Sequence, residues 1–349
     1  MTPASLVAEF PTPHTLGLAF AGVPIRVRTN DEDVCTRLRE YYRAFVVDGD
    51  LLEPIADVRL VQGPVPVKDG FVDLVRPGRR SKEAVRDVEG GRLILKRSTG
   101  ALMGLWPGGA FALGDLRTNL NQAINLVNNC YAKSVLARGH LLLHASAASR
   151  GGGTAVLAGP PGAGKSTSAL HLVEAGFHCL SNDRVLAKPL PEWVEVLGYP
   201  KQPRVNPGTL LGHPRFATLL TSDDRAALRA LPPAELWELE RKSDVDLDAI
   251  YGGGTVELRG RMEALVLLKW RRDGEGFRVR PIPAVAALDD LPLVYKNLGA
   301  FDLDRRPGLA VTDDERARFE ALFRRVTVLE ITGRVSFEAL VRTIADLLS

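Results

Sequence analysis

The run Gly159, Pro160, Pro161, Gly162, Ala163, Gly164, Lys165, Ser166, Thr167 packs glycines, prolines, one cation and two hydroxyls into a single short segment. It fits G-x-x-x-x-G-K-[ST], the spacing of a loop that cradles the phosphates of a nucleotide. Consecutive backbone N–H groups must curl around phosphate oxygens at a helix N-terminus. Gly159, Gly162 and Gly164 permit the backbone angles and the close approach that this needs. Lys165 can reach the β- and γ-phosphates, and the Ser166 hydroxyl suits Mg²⁺. The helix dipole adds roughly 0.3 to 1 kcal/mol for an anion held there. The expected ligands are therefore ATP, or another nucleoside triphosphate, and Mg²⁺.

Such a loop works only between a strand and a helix. TAVLAG, ending at Gly159, reads as the strand, and the residues after Ser166 read as a helix that ends at Gly176. LLLHASAAS, after His140, reads as an adjacent strand across the turn 150–153. Phe177 to Leu180 reads as a buried strand with Ser181, Asn182 and Asp183 at its end, where ligands of parallel sheets gather. Asp183 is the nearest candidate for a metal-binding or catalytic carboxylate. Asn182 and Asp183 would equally serve to turn the chain before Val185.

Three pieces within about residues 140–190 carry a family resemblance: the strand with His144, the loop behind its glycine turn, and GFHCLSNDRV. Together they resemble the HPr kinase/phosphorylase superfamily, and more narrowly the HPr-kinase-related bacterial P-loop kinases, including the related-kinase B type. The resemblance implies an α/β fold: a P-loop kinase domain of the HPr kinase and phosphoenolpyruvate carboxykinase type, preceded by a smaller α+β N-terminal domain. It also implies ATP-dependent phosphorylation of a serine of a protein or peptide. In the family two adjacent aspartates follow the strand, the first accepting the hydroxyl proton and the second nearer the metal. This chain has Asn182 and Asp183, so one carboxylate is missing. An amide can orient a hydroxyl but cannot take its proton. His144 matches a family histidine near the γ-phosphate, and it would equally serve as a core histidine.

Further cations are candidates. Lys201 and Arg204 in KQPRVNPGTL could clamp the nucleotide or a phosphorylated product, and Arg259 in TVELRG could stabilise transition-state charge, with Arg261 close enough to exchange with it by a register slip. His171 and His178 read as structural or surface residues. Asp244, Asp246 and Asp248 alternate like part of a calcium loop, but Ala249 stands where glycine is needed and they read as solvated.

The expected domains are an α+β unit over 1–115, a connecting helix over 116–139, and the kinase domain over 140–349 with a polar helical insertion at about 213–250. In the first unit Thr15–Ala21, Pro24–Thr29, Val58–Val61 and Arg92–Arg97 read as strands, and Thr29 with Glu32 as a capping box opening a helix. Gly63 to Arg86 reads as loops and edge strands, while Thr312 and Glu315 form a second capping box, followed by a strand and a last amphipathic helix.

The 349 residues carry 45 basic and 42 acidic side chains, a net charge of +3, which points to neither a nucleic-acid nor a membrane surface. Three widely spaced cysteines argue against a disulfide framework, and the N-terminus lacks a basic segment before its apolar stretch. The expected setting is cytoplasmic, with an unidentified protein or peptide acceptor and a homo-oligomeric assembly.

Three function classes compete: a kinase, a nucleotide-dependent switch or slow ATPase, and carboxykinase-like metabolism. The switch is favoured by Asn182, while the last needs extra metal ligands that the sequence does not place. No LSGGQ segment supports a transport ATPase.

Overall fold

The computed structural model describes residues 2–47, 49, 53–74, 81–213, 215–239, 241–304 and 311–349. It is a mixed α/β structure whose contacts divide it into two units, Met1–His140 with Asn297–Val311, and Leu141–Lys296 with Thr312–Ser349.

The first unit is built on a nine-stranded sheet. Its centre holds the parallel pairs Val23–Thr29 with Ala56–Gln62, and Ala56–Gln62 with Gly109–Gly114. The other pairings are antiparallel, and Val72–Asp73 closes one edge. Alternation along His14–Phe20 and Val23–Thr29 buries every second residue, so one face of each strand carries core. The helix Leu120–Leu136 packs on this sheet and ends before Gly139, whose φ of 88° is the left-handed turn its position suggests. Phe20 meets the rings of Tyr42, Phe45 and Tyr131 at 5.2 to 5.5 Å.

Two local expectations change here. Asp31 rather than Thr29 caps the helix Glu32–Tyr41, accepting from the Val34 N–H at 3.0 Å. Thr29 is the last residue of its strand, so it supports Asp31 instead, through a bond from the Asp31 N–H. Leu102–Trp106 and Gly109–Gly114 form a hairpin that the sequence reading passed over. Of the Gly63–Arg86 stretch, residues 75–80 lie outside the described residues; Val72–Asp73 is an edge strand, and Glu83–Val88 lies next to it, paired on both sides.

The second unit holds the Gly159 loop. Its sheet runs Leu141–Leu143, Val185–Pro189, Val194–Gly198, Arg259–Leu268, Gly153–Ala158, Ala145–Arg150, His178–Ser181, with Thr327–Gly333 and Phe277–Pro281 branching from the long strand Arg259–Leu268. Gly153–Ala158 is parallel to Arg259–Leu268, and Arg259–Leu268 to Thr327–Gly333. The helices Lys165–Glu174 and Phe337–Leu347 cover this sheet through Ala169, Leu172, Leu340 and Ile344, which pack on Leu157, Val266 and Leu268. The capping box of Thr312 and Glu315 is present.

The expected strand LLLHASAAS is broken at His144 into two strands with different neighbours: Leu141–Leu143 pairs with Val185–Pro189, and Ala145–Arg150 with Gly153–Ala158 and His178–Ser181. The stretch 213–250, of which 214 and 240 lie outside the described residues, contains short helices at Ser222–Arg229, Pro233–Glu238 and Leu247–Tyr251. It is not merely a polar appendage, because Phe216, Leu220, Leu228, Val245 and Leu247 are buried with Leu170 and Val173 of the loop helix.

Candidate active site

The strand Gly153–Ala158 enters the loop and the helix Lys165–Glu174 leaves it. Gly164 caps that helix at φ 82°, a conformation that costs a residue with a side chain. Gly159 is required by crowding, since a β-carbon there would lie 2.7 Å from the Leu268 carbonyl oxygen. Trp270 Nε1 donates to the Ala163 carbonyl at 2.8 Å and steadies the loop from the neighbouring strand end. The Lys165 ammonium donates to the carbonyls of Gly159 (2.8 Å) and Pro160 (3.2 Å), so it folds onto its own loop. Thr167 Oγ1 lies 3.2 Å from Thr209 Oγ1.

Sheet register decides what else arrives. Ala145 stands opposite Ala158, and Ala147 opposite Ser181, so His144, Gly159 and Asn182 leave the sheet at the same end. His144 Nε2 lies 3.8 Å from Asp183 Oδ1, and Arg184 Nε lies 3.7 Å from Asp183 Oδ2. Arg184 also donates to the Tyr199 hydroxyl at 3.0 Å and lies over its ring. The Asn182 carbonyl accepts from the Ser146 hydroxyl, and the Ser181 hydroxyl donates to the Arg184 carbonyl while accepting from the Tyr199 N–H, which ties the turn down.

Beside the helix N-terminus is a cavity of about 150 Å³, lined by Ser166, Asn182, Asp183, Lys201, Arg204 and Lys242, with Ser181, Tyr199 and Gln202 completing the wall. Of the expected site residues, Ser166, Asn182, Asp183, Lys201 and Arg204 thus meet at one cavity. Arg204 is held there by Asp244 at 2.9 Å.

Arg259 is not brought to it. Gly153 opposes Arg261 in a parallel pair, whereas Ala158 opposes Leu267, so Arg259 begins its strand at the end of the sheet away from the loop. Its guanidinium is largely exposed and bound to Glu195 at 2.7 Å, and Arg261 pairs with Glu263. His171 stacks on Phe337 and His178 binds the Gly254 carbonyl. Asp246 caps the helix Leu247–Tyr251, and Asp248 accepts from the Thr255 N–H.

Arg184, Tyr199, Gln202, Lys242 and Lys296 were missed as site residues. Arg184 had a signal, standing next to Asp183 in a strand-end turn. Lys296 had none, because its place comes from a long-range pairing in which the His144 N–H donates to the Val294 carbonyl and the Lys296 N–H to the Leu142 carbonyl.

The charges act on one another. Burial, helped by the Lys165 charge, drives His144 down to about 4 against the pull of Asp183. Burial also lowers Lys165 from its ordinary value. For Asp183 burial works upward, but the cations around it, Arg184 foremost and then Lys201 and Lys296 among others, hold the carboxyl below its ordinary value. The histidine is therefore neutral and the aspartate ionised near neutral pH. Ser166 and Asp183 supply hard oxygen donors on one cavity, the donor type that Mg²⁺ takes. Among the described residues no group of three His, Cys, Asp or Glu could hold a metal, and no helix is long and apolar enough to cross a membrane.

No family model and no curated protein matches this chain. Among solved structures it is similar to the Hpr(Ser) kinase/phosphatase from Coxiella burnetii, at 10% identity and a TM-score of 0.29, over 59% of this chain and 93% of that one.

Proposed function

We propose that this chain is a P-loop kinase of the HPr kinase and carboxykinase type, which uses ATP and Mg²⁺ to phosphorylate a hydroxyl, first of all a serine of a protein or peptide. The observation that carries the reading is the shared cavity. The hydroxyl next to the loop lysine, the turn residues Asn182 and Asp183, and the cations Lys201 and Arg204 line one space at a helix N-terminus.

In this reading the N–H groups of Gly162 to Thr167 hold the β- and γ-phosphates, and Lys165 exchanges its two loop carbonyls for phosphate oxygen. Ser166 and Asp183 would hold Mg²⁺, which when bound would supply charge neutralisation at the phosphates. The acceptor O–H lies between the Asn182 amide, which orients it, and the Asp183 carboxylate, which takes its proton. A carboxylate with a depressed pKa is a weak base. This is tolerable because loose phosphoryl transfer relies mainly on positioning and charge stabilisation. His144, being neutral, adds no charge beside the γ-phosphate and can donate or accept one hydrogen bond there. Lys201 and Arg204, which line the same cavity, hold the phosphorylated product on the acceptor side.

One observation favours a second reading, a nucleotide-binding switch or slow ATPase: Asn182 stands where a base is expected and cannot accept a proton. Incubation with γ-labelled ATP and Mg²⁺ in a lysate distinguishes the two. The kinase reading requires label on an acceptor that disappears with Lys165→Ala; label only in inorganic phosphate overturns it. Cytoplasmic placement and a homo-oligomeric assembly belong to the same proposal.

A further inference from the structure

The cavity beside Ser166 holds more positive charge than its own residues answer. Arg204 is matched by Asp244 at 2.9 Å, and Asp183 is matched by Arg184 at 3.7 Å, while the neutral His144, 3.8 Å away, adds no charge. Among the described residues, no carboxylate lies within ion-pairing distance of Lys201 or Lys242, although both line the cavity. Asn182 lines it too; the residue is 9% exposed and its Oδ1 is buried with no hydrogen-bond partner among the described residues. A buried amide oxygen without a donor is costly, and a ligand O–H would satisfy it. The triphosphate already has the loop amides and Lys165.

We infer that this cavity takes an acceptor whose reactive hydroxyl stands a few bonds from an anionic group, a carboxylate or a phosphate: the O–H meets Asn182 and Asp183 while the anion meets Lys201 and Lys242. The inference rests on the kinase reading above and names the acceptor's chemistry. At about 150 Å³ the space is of the order of one benzene-sized group, so hydroxyl and anion lie close together on the acceptor. In the transfer the O–H turns from the Asn182 oxygen to the Asp183 carboxylate, which takes the proton, and the hydroxyl oxygen forms the new bond to the γ-phosphorus. The bond from that phosphorus to the bridging oxygen breaks, and the nucleoside diphosphate leaves with the electron pair.

The test uses the full chain with ATP and Mg²⁺, reading ADP release and labelled product. D-Glycerate, L-serine and glycerol 3-phosphate are set against glycerol, and a peptide serine flanked by aspartates against the same serine flanked by alanines. We expect at least one anionic acceptor to exceed its neutral counterpart about tenfold or more in kcat/KM. That ratio should shrink toward one in the double variant Lys201→Met, Lys242→Met and persist in Lys242→Arg. Transfer to the free acids or to the acidic peptide identifies the source, and either supports the inference. Neutral acceptors used equally well would overturn it and leave the kinase reading standing, as would a preference unchanged in the double variant. Phosphate release to water alone, with every acceptor, would overturn both.

Discussion

His144 Nε2 lies 3.8 Å from Asp183 Oδ1, which joins the break between two strands to the turn that follows a third. The pair is of unlike character. Burial and the Lys165 charge keep the imidazole neutral, while neighbouring cations keep the carboxylate ionised.

The pair predicts a pH signature. Unfolded, His144 binds its proton near 6.5; folded, only near about 4. Between those values the unfolded chain holds more protons, so this contribution to stability is fully present above about 6.5 and is lost as the pH falls toward 4. Urea midpoints measured from pH 7.5 down to about 4 should fall less steeply in His144→Gln than in the unaltered chain. Parallel curves would show that His144 is not held neutral.

Gly159→Ala should destabilise the second unit by about 1 to 3 kcal/mol, the usual cost of overpacking, because its β-carbon would meet the Leu268 carbonyl at 2.7 Å. Urea unfolding measures this. Gly152→Ala, where a β-carbon would find nothing within 4 Å but φ is 87°, separates crowding from backbone strain.

Lys165→Met should lower kcat/KM for ATP on the order of 10²- to 10³-fold, since a preorganised positive group at the transferred phosphate is lost. The fold should survive, because the ammonium now binds only loop carbonyls. Circular dichroism and ADP release together check both halves of the statement.

Asn182→Asp returns a carboxylate to the turn. A general base contributes roughly 10²- to 10⁴-fold, so the variant should transfer phosphate at least tenfold faster. Its optimum should move to higher pH, because two adjacent carboxylates raise one pKa. An unchanged pH profile and rate would mean that the residue at 182 takes no part in proton transfer.

Much of this site is local in sequence and was therefore legible. The loop, its strand and its helix follow one another directly, and the Asn182–Asp183 turn ends the next strand. The residues that escaped are placed by pairing across distance. His144 breaks its strand because Leu141–Leu143 and Ala145–Arg150 choose different partners, and no periodicity records that choice. Lys296 comes to the same region through two backbone bonds from a segment some 150 residues further along the chain. Arg259 is the opposite case: a motif-like spacing whose guanidinium binds Glu195 and does not line the cavity. In the first unit the hairpin of Leu102–Trp106 and Gly109–Gly114 was passed over because its strands are short and glycine-rich.

The central claim is that the cavity of Ser166, Asn182 and Asp183 moves phosphate to an acceptor hydroxyl. Its most direct measurement is the fate of γ-labelled phosphate in the full chain, with Lys165→Ala and Asp183→Ala as parallel samples. Label on a hydroxyl acceptor in the unaltered chain, abolished by Lys165→Ala and reduced about 10²-fold or more by Asp183→Ala, is the predicted result. Label found in water alone, or an acceptor labelled equally by all three proteins, would contradict it.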